Sequence, residues 1–183
     1  MKKQREILKT LNIDKTWTLF LDRDGVINRK IDGDYVRNWQ QFEFLPKVLE
    51  ALEILNNIFG KIIIVTNQRG IGRGLMTEKD LLDIHSNVLN ILSDKKIKID
   101  KIYYCPHDYE KEDCICRKPK IGMALQAKKD FPDIDFKKSI MVGDSISDIE
   151  FGNNASMISI LIDESNSDIK SLYEFAILIK NKT

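Results

Sequence analysis

LFLDRDGVIN, residues 19–28, runs an apolar stretch directly into two carboxylates, Asp22 and Asp24, with Arg23 between them and Gly25 after them. An apolar run ending in Asp and Gly reads as a buried strand opening into a loop. Side chains two apart on a strand point to the same side. Asp22 and Asp24 are therefore expected to share surroundings and repel. Such a pair calls for a cation, a proton or a chemical role.

Similar runs recur outward from this one. TWTLFL (16–21) contains it, and KIIIVT (61–66), KIYYC (101–105), KSIMVG (138–143) and MISILI (157–162) follow. Helical patterns separate them. Val48, Ala51, Leu52, Leu55 and Phe59 share one stripe, with Pro46 near its first turn. Thr77 and Asp80 resemble an N-terminal cap ahead of Leu81, Ile84, Val88 and Leu92. A third helix is predicted over 121–130 and a short one after Ser147. His85 reads as a packing or surface histidine of the second helix. Alternating strands and helices predict an α/β fold with a doubly wound parallel sheet, in one domain over residues 1–183. FAILIK (175–180) is predicted as a last edge strand. Residues 26–44 are predicted to form a small flap over the sheet, with no large cap domain. The start, MKKQREILKTLNIDK (1–15), is predicted to be an exposed lead-in.

Composition narrows the class. With 29 basic against 28 acidic residues the net charge is +1, so no basic field points to nucleic acid. No apolar run is long enough to span a bilayer. The charged start lacks the apolar core of a signal peptide. The expectation is a cytoplasmic monomer that handles a small metabolite. The three cysteines argue against a disulfide framework, and Cys105, Cys114 and Cys116 cluster around His107.

In a doubly wound sheet, ligands bind at the carboxyl ends of the strands. Three polar clusters fall there: Asp22/Asp24, Thr66/Asn67 and Asp144/Asp148. A carboxylate such as Asp22 can attack phosphorus and form an aspartyl-phosphate. A second carboxyl two residues on can protonate the leaving oxygen and later deprotonate water. Thr66 offers a hydroxyl to a phosphoryl oxygen. Asp144 suits a hard cation such as magnesium, and Asp148 could ligate it or orient its water. Lys118 could neutralise a transferring phosphoryl group. Read singly, each is an ordinary turn, loop opening, helix cap or surface lysine; their joint order at successive strand ends carries the chemistry.

CPHDYEKEDCICRKP (105–119) supplies three thiolates and one imidazole in two short pairs, enough for a closed, structural tetrahedral zinc site at Cys105, His107, Cys114 and Cys116. That metal would pin the loop carrying Arg117 and Lys118.

DRDGVIN, VTN, the lysine of CRKP and GDSISD match, in order, the four motifs of the haloacid dehalogenase superfamily of phosphotransferases, which the chain therefore resembles. The resemblance implies Asp22 as nucleophile, Asp24 as general acid/base, and Thr66 and Lys118 as phosphoryl-stabilising groups. It implies magnesium held by Asp22, Asp144 and the backbone carbonyl of Asp24. The zinc loop with VTNQRGIGRG and YYCPH is similar to the heptose-bisphosphate phosphatases of that superfamily, which serve lipopolysaccharide precursor synthesis, and to the related histidinol-phosphate phosphatases. By the same resemblance Tyr35, Asn67, Gln68, Arg69 and Arg117 would contact a phosphorylated substrate. A receiver-like phospho-aspartate switch is the alternative from another class, and it has no need of an acid at position 24.

Overall fold

β1 (Thr18–Leu21), β2 (Lys61–Asn67), β3 (Lys101–Cys105), β4 (Ser139–Gly143) and β5 (Ile158–Leu161) form a parallel sheet in the order β3-β2-β1-β4-β5 in the computed structural model of the chain, which describes residues 3–163, 165 and 167–181. β1 is central, and the strand order turns outward on either side of it. The register aligns Leu21 with Ile64 of β2 and with Val142 of β4. Asn67 lies opposite Cys105. The carboxyl ends of four strands therefore reach one edge, and the polar residues after them meet there.

Alternation along the strands divides the core. Leu19, Leu21, Ile62, Ile64, Ile140 and Val142 face one side, against α2 (Val48–Ile58), α3 (Glu78–Asp94) and α6 (Leu172–Lys180). Phe20, Ile63, Val65 and Met141 face the other, against α4 (Gly122–Asp130) and α5 (Ile146–Asn154). Helices thus cover both faces, which is why the strands read as nearly continuous apolar runs. Thr77 caps α3 as expected: Asp80 donates its N–H to Thr77 Oγ1 at 3.1 Å, and Thr77 donates its N–H to Asp80 Oδ2 at 2.8 Å.

Two expectations are corrected. FAILIK belongs to α6, not to an edge strand. Leu172, Phe175, Ala176 and Ile179 are buried at helical spacing, and Ser171 caps the helix by accepting the Glu174 N–H at 3.2 Å. The N-terminal stretch is not merely an exposed lead-in. Lys3–Thr10 forms α1, Leu8 and Ile13 are buried, and Gln4 docks on the last strand. Its amide accepts the Leu161 N–H at 2.7 Å and donates to the Leu161 carbonyl at 3.2 Å, occupying backbone groups of the sheet's edge. Among the described residues no helix is long and apolar enough to cross a membrane.

The flap is local. A backbone bridge joins Asn28 to Phe44, Trp39 stacks on Phe42, and Phe42 meets Phe44 edge-on. Its tip, residues 30–36, overhangs the carboxyl edge of the sheet.

Candidate active site

The pairing of β1 with β4 continues one residue past the strand, because the Asp22 N–H donates to the Val142 carbonyl at 3.0 Å. This fixes Asp22 at the sheet edge, almost fully buried. The chain then turns sharply. The Arg23 carbonyl accepts from the N–H groups of Ile27 and Asn28, and Gly25 takes φ +88°. Glycine is needed twice over at that point. The backbone is left-handed, and a Cβ would meet Asp144 Oδ2 at 2.2 Å.

The turn gives the two carboxylates different partners, although both line the same pocket. Asp22 Oδ1 accepts from Lys118 Nζ at 2.6 Å. Asp24 is cradled by other donors: Arg23 Nη2 at 2.9 and 3.0 Å, Asn28 Nδ2 at 2.9 Å and Gln68 Nε2 at 2.9 Å. Burial disfavours its charge, but Arg23 and these hydrogen bonds outweigh it and hold Asp24 below the usual carboxylate range. Asp22 moves the opposite way. Burial pushes it up to about 8 against the pull of Lys118, with Asp148 and Asp24 adding to the rise.

Lys118 is buried at the centre of the site. Its ammonium also lies 2.6 Å from Asp148 Oδ1 and donates to the Val65 carbonyl at 2.8 Å. Burial works against its charge, yet Asp22 and Asp148 raise its pKa above the ordinary lysine value. The Lys118 backbone is clamped by Asn67, whose side chain accepts its N–H at 3.0 Å and donates to its carbonyl at 3.2 Å. Thr66 Oγ1 accepts from Gln68 Nε2 at 2.8 Å.

Asp148 doubles as the cap of α5: Ser145 donates its N–H and hydroxyl to Asp148 Oδ2 at 3.1 and 2.6 Å. Gly143 makes this approach feasible, since a Cβ there would lie 2.1 Å from the Cβ of Asp148. Asp144 is met by Lys30 Nζ from the flap at 2.9 Å, and burial raises its pKa despite that partner.

Carboxylate oxygens of Asp22, Asp144 and Asp148 lie within 4.8 Å of one another. Three carboxylates share two ammonium groups here, Lys118 and Lys30, and both Asp22 and Asp144 are shifted up in pKa, so all three would ionise together only with a further cation beside them. The cluster's oxygen donors fit a hard divalent cation. Cys105, His107, Cys114 and Cys116 form a second group within the same span. Cys105 Sγ lies 3.5 Å from Cys114 Sγ and 3.5 Å from His107 Nδ1, and His107 Nδ1 lies 3.1 Å from Cys116 Sγ. Cys116 Sγ lies 2.8 Å from Cys105 Sγ. A tetrahedral zinc with bonds of about 2.0–2.3 Å puts neighbouring ligand atoms roughly 3.3–3.8 Å apart, so the four atoms converge on one point and would spread by a few tenths of an ångström to seat that ion.

These residues surround a pocket of ≈ 410 Å³ lined by Asp22, Asp24, Thr66, Asn67, Arg117, Lys118, Asp144 and Asp148 below and by flap residues including Tyr35 above. Arg117 and Lys118, neighbours that would diverge on a strand, both line it. The Arg117 guanidinium lies over the Tyr109 ring at 4.8 Å, and its buried Nη1 has no hydrogen-bond partner.

Two expected substrate contacts lie elsewhere. Gln68 is buried behind Asp24 and holds it. Arg69 is bound to Asp108 at 2.6 Å and Glu110 at 2.7 Å, with its guanidinium 4.0 Å over the Tyr109 ring. It ties the loop after β2 to the cysteine loop. Sequence reasoning in turn left out Lys30, Ser145 and Ser147, which line the pocket, and Asn28, which holds Asp24. Lys30 was visible only as one of several flap charges; Asn28, Ser145 and Ser147 lie within the DRDGVIN and GDSISD stretches, but no role was read for them.

The model of the polynucleotide kinase 3 phosphatase family matches residues 17–180. The chain is 42% identical over 174 residues to the D-glycero-alpha-D-manno-heptose-1,7-bisphosphate 7-phosphatase of Mycobacterium bovis, covering 89% of this chain and 91% of that one. It is 44% identical over 142 residues to the D-glycero-beta-D-manno-heptose-1,7-bisphosphate 7-phosphatase of Haemophilus influenzae, covering 75% and 76%. Its structure is similar to that of the D,D-heptose 1,7-bisphosphate phosphatase from B. bronchiseptica complexed with magnesium and phosphate, with a TM-score of 0.82 and 26% identity over 91% of this chain and 99% of that one.

Proposed function

Because the chain belongs to the polynucleotide kinase 3 phosphatase family, within the haloacid dehalogenase superfamily, we propose that it is a phosphatase that removes the C7 phosphate of a D-glycero-D-manno-heptose 1,7-bisphosphate. The observation that carries the reading is the likeness, over most of the chain, to relatives named for that reaction. The pocket holds the groups this reaction needs. The protein's own groups shift Asp22 up and Asp24 down; a cation beside Asp22 and a phosphate near Asp24 act to reverse that order. Asp22 attacks the phosphorus and the bond to the sugar oxygen breaks, with Asp24 delivering the proton that the departing oxygen needs. Asp24 then takes a proton from water, which attacks the aspartyl-phosphate, frees phosphate and restores Asp22. Lys118 and Thr66 offset charge on the phosphoryl oxygens. Asp22, Asp144 and the Asp24 backbone carbonyl would hold magnesium, which when bound neutralises charge on the carboxylates and the phosphoryl group. Cys105, His107, Cys114 and Cys116 would hold a structural zinc.

The pocket's free hydrogen-bonding capacity favours an anion over the cationic amine of histidinol phosphate. Asp34 is already paired with Arg37 at 2.6 Å and Asp144 with Lys30, whereas Arg117 lines the pocket with no carboxylate partner among the described residues. A guanidinium grips phosphate bidentately, so Arg117 is assigned to the phosphate that is not cleaved. Arg117→Ala is expected to cost ~1.5–3 kcal/mol in kcat/KM for the bisphosphate. A small monophosphate ester should lose far less. Comparing kcat/KM across heptose bisphosphates, histidinol phosphate and simple sugar phosphates, with and without the substitution, tests the reading. Equal losses on all substrates would remove the second-anion role, and a preference for histidinol phosphate would replace the substrate.

A further inference from the structure

His85 is a buried titratable group outside the pocket, and the proposed reaction does not use it. It projects from α3 toward the turn after β1. Its Nε2 lies 3.3 Å from Arg23 Nη1, and Arg23 Nη2 in turn holds both oxygens of Asp24. Its ring meets Tyr104 edge-on at 6.0 Å, and the Tyr104 hydroxyl donates to Glu78 Oε1 at 2.5 Å. A guanidinium only donates, so the Nε2 facing it must be the unprotonated, accepting nitrogen. Burial, followed by the Arg23 charge, pushes the imidazole down to about 3, so the ring is neutral as that contact requires.

The Arg23 side chain is buried, and its Nε has no partner. Only Asp24 and His85 therefore orient the guanidinium through side-chain hydrogen bonds among the described residues. Without the His85 acceptor, Nη1 would be a second unmet donor in the same buried group, which favours rotation away from the present orientation. Asp24 would lose the aim of its charged partner.

We propose that His85 is a positioning residue that orients Arg23 and, through it, sets Asp24 for proton transfer. The proposal rests on the reading of Asp24 as the acid/base of the phosphatase reaction. Because the side-chain partners of His85 among the described residues are Arg23 and Tyr104, neither of which lines the pocket, whereas Arg23's partner Asp24 does, loss of His85 should lower kcat and leave KM nearly unchanged.

Three variants of the full chain test this on a D-glycero-D-manno-heptose 1,7-bisphosphate, whose departing sugar oxygen needs a proton, at saturating magnesium. His85→Phe keeps a ring against Tyr104 but has no acceptor. His85→Gln offers an amide oxygen near the position of Nε2. His85→Asn is polar but too short to reach. The expected result is a fall in kcat of at least about tenfold for Phe and Asn, with KM held within about twofold and most of kcat restored by Gln. In an Asp24→Asn background, His85→Phe should cause no further loss. Equal activity of Gln and Asn would overturn the proposal even if the Phe variant failed to fold. So would wild-type kcat in Asn, a change confined to KM, or an additive loss in the Asp24→Asn background. Wild-type rates for Asp24→Asn alone would instead remove the acid/base reading beneath it, which separates the two failures.

Discussion

Asp22→Asn is expected to lower phosphatase turnover by on the order of 10⁴- to 10⁶-fold, as removal of a nucleophile does, with the fold retained. Asparagine has nearly the same shape and keeps an oxygen to accept from Lys118 Nζ. Asp148 remains beside the same ammonium, so Lys118 is not left without a counter-charge. Burial already opposes the Asp22 charge, and a neutral amide is not subject to that cost. The metal-free variant should therefore melt no lower than the wild-type protein. Steady-state turnover and a thermal melt of the same sample check both halves. Near-wild-type turnover would show that another group attacks phosphorus, and a collapsed melt would show that the Asp22–Lys118 contact is chiefly structural.

Cys105→Ser should be nearly as damaging, for a different reason. Cys105 ends β3, is fully buried, and has its sulfur against His107, Cys114 and Cys116. Structural zinc in peptide sites supplies ~10–16 kcal/mol of apparent binding energy, and most of that is tied to a complete ligand set. The loop it would pin carries Asp108, which holds Arg69, and leads into Arg117 and Lys118. Losing the ion should loosen that loop and with it the lysine on Asp22. Elemental analysis should find one zinc per wild-type chain and none in the variant, whose activity should be lost. Mild chelation of the wild type should remove only the oxygen-bound ion, so magnesium alone should restore its activity. A variant with wild-type rates and melting temperature would eliminate the structural role, and activity that demands added zinc would make that ion catalytic.

The sheet was legible because each strand is buried on both faces, so continuous apolar runs such as KIIIVT stood out, and the polar residues after them had to meet at one edge. The cysteine loop was legible because its three cysteines and one histidine sit close in sequence, and the structure brings all four together. FAILIK misled because a six-residue apolar run has no decisive period; the deciding residues, Ser171 and Leu172, lie just outside it. The N-terminal helix was missed because its docking depends on Gln4, which looks like any surface glutamine until the open edge of β5 is beside it. Alternation put Asp22 and Asp24 in one pocket but could not show that they have different partners, Lys118 for Asp22 and a separate set of donors for Asp24. The donors that receive Asp24 come from positions 23, 28 and 68, and Arg23 is oriented by position 85. No local pattern announces such a convergence. Gln68 and Arg69 were placed in the pocket because they follow Thr66, but contiguity does not state direction: Gln68 lies buried behind Asp24 and Thr66, and Arg69 turns to the cysteine loop.

Phosphorus NMR on a D-glycero-D-manno-heptose 1,7-bisphosphate with wild-type protein and magnesium tests the central claim most directly. The account predicts loss of the C7 phosphorus signal, appearance of inorganic phosphate in equal amount, and a persistent C1 phosphate. Release from C1, or an unchanged bisphosphate under conditions where the same sample hydrolyses another phosphate ester, would contradict it.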